Sequence, residues 1–572
     1  MCNRQDQNIS AAAAKAAATK GKEATYLVIG AGTAGLSFID SLLTLDANAT
    51  FILVDRNSQP GGHWTKSYPF VRLHQTSCNY GVNSLPLSNI RDKKGNERFS
   101  VNDLATGQEI KDYYKVVVEQ FRECGRVHLY FNCEYSKDDS GNHFVTNIDT
   151  NEVKRVSFKK IVVVHTNLLV PSMRNGPPFP IDSSINYAPL NDLPTHVASK
   201  QYKKYVVIGA GKTGSDAITY LLRNGVDQSA ITWITSRDIW YFVRDGLWGG
   251  YKSFRKDTVK LIDPLVKCKS LHEAFLQYEK DGIVARLDTS TTPEVFKGAT
   301  IDKSELAGFK SIKDVVRLGR VTSITSDEIK LEKGVVPLPA PPADTLFVDC
   351  MADLDGTFYG YRHPEDFKIF DGNEINLGPF IVLFNVSCSS AIIAYIESTF
   401  ADDSEMRNNL LYFGTGEKHT KPDFKSFFSQ FYYQSKMFNA LGAYPPAMQF
   451  VLNSRTFLDA PCHHYLGLPG FIWAMVGPCQ LAKKASKFVE RVESGDFPDC
   501  QDCFGVAGRK LPEPKDLKIK EKSKAKSNYP PQPQKKLKPK SKFGLNCCAS
   551  VDIVNGIEMG KIDARSASAC LM

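Results

Sequence analysis

Four consecutive apolar residues, Tyr26-Leu27-Val28-Ile29, run into a glycine-rich turn and then a helical pattern, and the same succession recurs from Lys204 with Tyr205-Val206-Val207-Ile208. An unbroken apolar run bounded by a turn fits a strand buried on both faces, and strand, turn and helix in repeated order predict βαβ units around a parallel sheet. Short alternating segments at Arg320 to Ile324 and Glu328 to Leu331 read as strands of a meander, followed by the Pro-rich turn Pro337 to Pro342 and a further buried strand, Thr345 to Asp349.

These patterns divide the chain. Residues 1–23, with the run Ala11 to Ala14 and little that is large and apolar, cannot bury enough surface to offset ordering entropy and are expected to form a disordered lead. Residues 24–199 begin the first module and 200–343 form the second, carrying an insertion at 238–310 whose aromatic and helical pattern can shape a substrate pocket. Residues 344–505 return to the first module, and 506–572, rich in Lys, Pro and Ser, make a disordered tail. Leu377 to Ile396 is long enough to span a bilayer, but Asn385 and the Ser387, Ser389, Ser390 cluster favour buried core instead.

Charge changes this picture little. Lys515 to Lys542 holds eleven Lys against Asp516 and Glu521, which accounts for the whole formal charge of +9 and leaves the rest of the chain neutral. The basicity belongs to one segment, not to a groove, so a nucleic-acid partner is not expected. That segment with Cys547-Cys548 beyond it admits peripheral membrane contact through Lys clusters and acyl chains, against the alternative of a solubilising tail. Fourteen scattered Cys, and an opening without a charged segment followed by an apolar one, point to reduced thiols and a cytoplasmic protein. The C-x-x-C at Cys500 to Cys503 and the run Cys462-His463-His464 read as incidental, so no metal is expected.

The chemistry lies in the two turns. In Gly30-Ala31-Gly32-Thr33-Ala34-Gly35, Gly30 permits the tight turn, Gly32 admits a pyrophosphate to the backbone, and Gly35 lets helix and strand pack closely. The next strand, Phe51-Ile52-Leu53-Val54, ends at Asp55, where a carboxylate accepts ribose hydroxyls. Gly209, Gly211 and Gly214 repeat the motif, but the following strand, Ile231 to Thr235, runs into Ser236-Arg237. A hydroxyl and a cation there suit a ribose 2′-phosphate, which favours NADPH over NADH, although Asp238 is adjacent. The expected fold is thus α/β, with two Rossmann-like dinucleotide-binding domains. FAD belongs at the acid-ended module and NADPH at the other, with hydride passing between them.

A family resemblance adds to this. Gly61-Gly62-His63-Trp64 resembles the GGxW element of flavin-containing and Baeyer–Villiger monooxygenases, which brings Gly62 and Trp64 into the cofactor site, and Tyr68 to Arg72 resembles the flavin-proximal segment of the latter group. The strand ending Asp349-Cys350-Met351-Ala352 looks like the return to the first domain in the same group. The likeness covers roughly residues 25 to 240. It implies that NADPH reduces FAD and that the reduced flavin then reacts with O₂ and a small organic substrate. Arg72 would compensate negative charge near the flavin, and His74 would move protons near neutral pH, each against the alternative of a structural role. Two departures stand out. The linker fingerprint F-x-G-x-x-x-H is missing, since Asn167 to Pro194 contains no His and His165 lies at a strand end, and His74 falls where Baeyer–Villiger enzymes place an Asp. Disulfide reductases share the two-module plan, but Cys78 is the lone thiol near Gly61-Gly62. An oxidase or flavin reductase releasing H₂O₂, and a non-catalytic redox sensor or membrane-associated scaffold, are the competing readings. The substrate and the oligomeric state are not readable from the sequence.

Overall fold

The computed structural model describes residues 18–499 apart from 76, 78–79, 88–103, 165–167, 170–171, 173–175, 248–253, 352, 355–366, 379–380, 383–384, 401, 412–423, 443 and 459–482. The Lys-rich tail, Cys547-Cys548, Cys500 to Cys503, Cys462-His463-His464, Cys78 and His165 lie outside the described residues. The chain divides into two compact units, Met1–Pro531 and Gln532–Met572, and the second lies wholly outside them too.

The first module opens with β1 (Thr19–Ile29), followed by α1 (Thr33–Leu45), β2 (Phe51–Asp55), α2 (Gly107–Glu123), β3 (Val127–Phe131), the hairpin β4 (Cys133–Lys137) and β5 (His143–Asn147), and the long β6 (Val153–Val164). β1 pairs in parallel with β2 and β6, and β2 with β3. Every residue of β2 is buried, as its unbroken apolar run requires of a strand covered on both faces. One boundary differs from expectation. β1 begins inside the stretch read as a disordered lead, because Thr19 to Ala24 pair with Lys154 to Phe158 of β6. The polar, exposed Thr19, Lys20, Lys22 and Glu23 give no local signal of that pairing.

The second module contains β7 (Asn186–Pro189), β8 (Lys204–Ile208), α3 (Lys212–Arg223), β9 (Ile231–Ile234), β10 (Ile239–Val243), β11 (Val284–Ala285), β12 (Val295–Ile301), α4 (Lys303–Ser311), β13 (Asp314–Val316) and β14 (Thr345–Asp349). Its main sheet has the order β13-β9-β8-β14-β7, parallel throughout. The expected meander packs on this sheet, Ile324 and Ile329 sharing a core with Val206 and Phe347, and it gains a third strand, Gly334–Pro337, leading into the Pro-rich turn. The chain then returns to the first sheet with β15 (Phe370–Asp371) and β16 (Glu374–Leu377), the latter parallel to β6. One sheet is mixed with a parallel centre and the other parallel throughout, an α/β arrangement in which each delivers a strand, a glycine turn and a helix, as expected.

The insertion is part strand and part helix. β10, β11 and β12 form a small sheet, and helices Phe254–Lys267 and Leu271–Lys280 lie between β10 and β11. Trp240, Phe275, Tyr278 and Phe296 share a core with Phe428, Phe431 and Phe488 from beyond residue 424. The uncharged stretch ending at Ile396 becomes α5 (Val386–Thr399), buried over almost its whole length and packed on α1, as a core helix rather than a span. Among the described residues no helix is long and apolar enough to cross a membrane.

α1 carries a buried carboxyl, Asp40, that accepts hydrogen bonds from the Ser84 amide at 3.1 Å and from the Ser84 hydroxyl. Burial pushes it from 3.8 up to about 6, against the Ser84 hydrogen bonds and the Arg455 charge, which pull it down. A carboxyl whose folded-state value lies above its unfolded one favours folding when protonated, and that contribution is lost as pH rises from about 4 to about 6. Asp40→Asn therefore gains on the native protein across that window, by on the order of 3 kcal/mol at its upper end. Unfolding free energies of both proteins between pH 4 and 7 check this, and a difference independent of pH would contradict it.

Candidate functional site

Each glycine of the first turn has its expected job. Gly30 takes φ +107°, a left-handed conformation costly to a side chain, and its amide donates to the Val54 carbonyl at 2.8 Å. Gly32 caps α1 without any side-chain hydrogen bond, so no capping side chain occupies the amides of the first helical turn. A Cβ on Gly35 would lie 2.2 Å from the Gly30 carbonyl oxygen, so only glycine lets helix and turn meet.

Asp55 braces the same turn. One of its carboxylate oxygens accepts from the Ala31 amide at 2.6 Å, and the other from the Asn57 backbone and side-chain nitrogens at 2.7 and 2.9 Å. The Gly61-Gly62 element lies directly on the loop. The Gly61 amide donates to the Ala31 carbonyl at 2.9 Å, and a Cβ on Gly62 would approach the Gly32 Cα to 3.0 Å. Trp64 donates its indole N–H to the Tyr80 hydroxyl at 2.6 Å, and the Tyr80 and Tyr114 hydroxyls each lie 2.7 Å from the Thr33 hydroxyl inside the glycine motif. Tyr80 and Tyr114 were not visible from sequence, because they reach Thr33 from 47 and 81 residues away.

The second turn repeats the geometry. Gly209 has φ +130°, and a Cβ there would lie 2.8 Å from the Cys350 carbonyl oxygen; one on Gly214 would lie 2.0 Å from the Gly209 oxygen. Gly211 caps α3 without a side-chain hydrogen bond, and a Cβ on it would meet no atom within 4 Å. Trp233 and Tyr241 brace the loop by donating to the carbonyls of Gly209 at 2.8 Å and Ala210 at 3.1 Å. Ser236 and Arg237 follow β9 half-buried. The adjacent Asp238 is engaged elsewhere, accepting from Arg317 Nε at 3.0 and 3.2 Å.

The segment after Trp64 reaches across to the second module. Tyr68 donates its hydroxyl to Asp216 of α3, which also holds Lys212, and Phe70 stacks on Tyr220 at 4.1 Å between ring centroids. His74 accepts from the Thr300 amide on Nδ1 at 3.1 Å, while its carbonyl accepts from Arg244 Nε at 2.9 Å. Burial, with Lys212 and Arg244 nearby, pushes His74 from 6.5 down to about 3. That environment favours the neutral ring, the form in which Nδ1 accepts the Thr300 amide. Arg72 is exposed and donates Nη1 to the Leu104 carbonyl at 3.0 Å. A cavity of about 320 Å³ lies between this segment, α3 and the start of α4. Among the described residues no three His, Cys, Asp or Glu side chains are grouped to hold a metal.

Two sheets, each delivering an uncapped helix behind a glycine turn, define a two-module α/β protein. The chain is 35% identical over 392 residues to the uncharacterized protein Rv2000 of Mycobacterium tuberculosis, covering 68% of this chain and 70% of that protein, and the same figures hold for the uncharacterized protein Mb2023 of Mycobacterium bovis. It belongs to the family of these mycobacterial proteins. No family model matches it. Similar solved structures include a cyclohexanone-bound cyclohexanone monooxygenase (15% identity, 83% of this chain and 99% of that one, TM-score 0.40) and the OTEMO complex with FAD and NADP (15%, 66% and 83%, 0.41). The bacillithiol disulfide reductase Bdr of Bacillus cereus is similar at 14%, over 66% and 99%, with a TM-score of 0.39.

Proposed function

We propose that this chain is an NADPH-dependent FAD oxidoreductase of monooxygenase type, with FAD at the Gly30–Gly35 turn and NADPH at the Gly209–Gly214 turn. One observation carries the reading. The segment continuous with the Gly61–Trp64 element is bonded to the helix that starts at the second turn, through Tyr68 to Asp216 and Phe70 to Tyr220. Hydride transfer requires two cofactor sites on modules in direct contact, and these are.

The residues fit both groups. Both helices present first-turn amides that no side chain caps, and the space over Gly211 holds no atom that a Cβ would meet. FAD would supply the redox chemistry, taking hydride from NADPH and passing electrons to O₂. The protein's part is to position and to select. Asp55 braces the first loop and retains lone pairs for ribose hydroxyls, Gly62 and Trp64 pack on that loop, and Ser236 and Arg237 receive the 2′-phosphate. Arg317 supports the preference by pairing with Asp238, the carboxylate adjacent in sequence, which would otherwise repel a phosphate. Arg237→Gln is expected to weaken NADP⁺ binding by about tenfold or more while changing NAD⁺ binding little, as loss of one charged hydrogen-bond donor implies. Titration with both nucleotides checks this, and equal losses would contradict it.

A second reading, an NADPH oxidase that releases H₂O₂, draws on the absence of His between Asn167 and Pro194, where the monooxygenase fingerprint would stand. Oxygen separates the two. After anaerobic reduction by NADPH, admitting O₂ gives slow reoxidation with little free peroxide if the site protects an oxygenating species. Immediate reoxidation with one H₂O₂ per flavin overturns the monooxygenase reading.

A further inference from the structure

Lys212, Asp216, Tyr220 and Arg223 recur at helical spacing on one face of α3 and line the cavity beside the segment Phe70–His74. Its charges do not balance in pairs. Lys212 holds Asp216, and Arg244 lies 3.6 Å from Asp302 and 3.7 Å from Glu305. Arg223 makes no hydrogen bond or ion pair among the described residues, and Arg72 gives only its bond to the Leu104 carbonyl. Both are exposed and both line the cavity, so it is bordered by two arginines without a carboxylate partner among the described residues.

Tyr68 meets Asp216 and Phe70 meets Tyr220, so the segment that carries Arg72 runs beside α3, whose last residue is Arg223. Arg223 lies about 16 Å along the helix axis from Lys212, well away from the glycine turn where a dinucleotide phosphate would sit. The lining mixes polar and apolar side chains, and its apolar part comprises Phe70 stacked on Tyr220, with Leu73, Ile301 and Phe309.

We propose that this cavity binds an organic acid, with the carboxylate held by Arg72 and Arg223 and the apolar body on the wall formed by Phe70, Tyr220 and Phe309. A guanidinium matches a carboxylate in geometry as well as charge, and two of them select an anion over its neutral counterpart. A cavity of about 320 Å³ takes a small aryl or alkyl acid, not a macromolecule.

Calorimetric titration of the full-length protein, as purified, with benzoate, phenylacetate, octanoate and decanoate, and with their uncharged amides, tests the site. At least one acid binds saturably, and its amide binds about tenfold or more weakly. Arg72→Gln and Arg223→Gln each weaken the acid by about tenfold, without lowering the melting temperature, because both side chains are exposed. Saturating NADP⁺ leaves acid binding in place. No saturable binding by any of these acids, equal binding of acid and amide, retention of affinity in the double variant, or displacement by NADP⁺ would each overturn the proposal. The titration reads acid binding alone, so its failure is distinct from failure of the flavin reading.

Discussion

Gly35→Ala is expected to yield a protein that purifies without flavin, and Gly214→Ala one that keeps its flavin but no longer accepts hydride from NADPH. The cause is backbone geometry. The added Cβ would stand 2.2 Å from the Gly30 carbonyl oxygen in the first case and 2.0 Å from the Gly209 oxygen in the second. Neither can be relieved by rotating a side chain, so the loop must move by about 1 Å, at the place where phosphates would approach the amides. A loss of at least about 100-fold in affinity, near 3 kcal/mol, follows for the dinucleotide of that module. Absorption spectra of the purified variants and titration with NADP⁺ read each module separately. A flavin-replete Gly35→Ala protein would contradict the assignment.

Glu397→Ala is expected to destabilise the protein by about 3–5 kcal/mol, as removal of one member of a buried ion cluster does. Glu397 is fully buried on α5 and accepts from the Tyr26 hydroxyl at 2.8 Å, Lys160 at 3.0 Å and Arg407 at 2.6 Å. Tyr26 belongs to β1 and Lys160 to β6, so this carboxylate ties the returning C-terminal part of the chain to the centre of the first sheet. Its loss would leave Arg407, 1% exposed, and Lys160 with the largely exposed Asp402 as their remaining carboxylate. Burial and the Glu397 carboxylate hold the Tyr26 hydroxyl well above its usual range, so it remains a donor. Asp402 bonds the same two cations at 2.7 Å each but is 59% exposed, and Asp402→Asn should cost no more than about 1 kcal/mol. Urea unfolding of both variants provides the comparison. Equal, small losses would show that the cluster does not clamp the return.

Much of the site is written locally. Gly30, Gly32 and Gly35 follow a four-residue apolar run, and Asp55 closes the next strand, so a reader of periodicity finds the first loop within thirty residues of its start. The same holds for Gly209, Gly211 and Gly214. What escapes local reading is what the fold brings from far away. Tyr80 and Tyr114 converge on Thr33, and Asp216 meets Tyr68 across 148 residues, with no pattern in either stretch to announce it. Thr19 to Ala24 become strand only because β6 lies beside them, and Gly334–Pro337 because the meander has an edge to fill. His74 shows the limit for chemistry. Its position suggested proton transfer near neutral pH, but its ionisation is set by Arg244, Lys212 and burial that only the folded chain supplies.

In the proposed function hydride passes from NADPH at the second loop to FAD at the first. Anaerobic mixing of the purified, flavin-bearing protein with NADPH in a rapid-mixing spectrophotometer follows that transfer. The flavin absorbance is expected to bleach fully in a single turnover, more slowly with NADH, and not at all in Gly214→Ala. A purified protein that carries flavin and is not bleached by NADPH would contradict it.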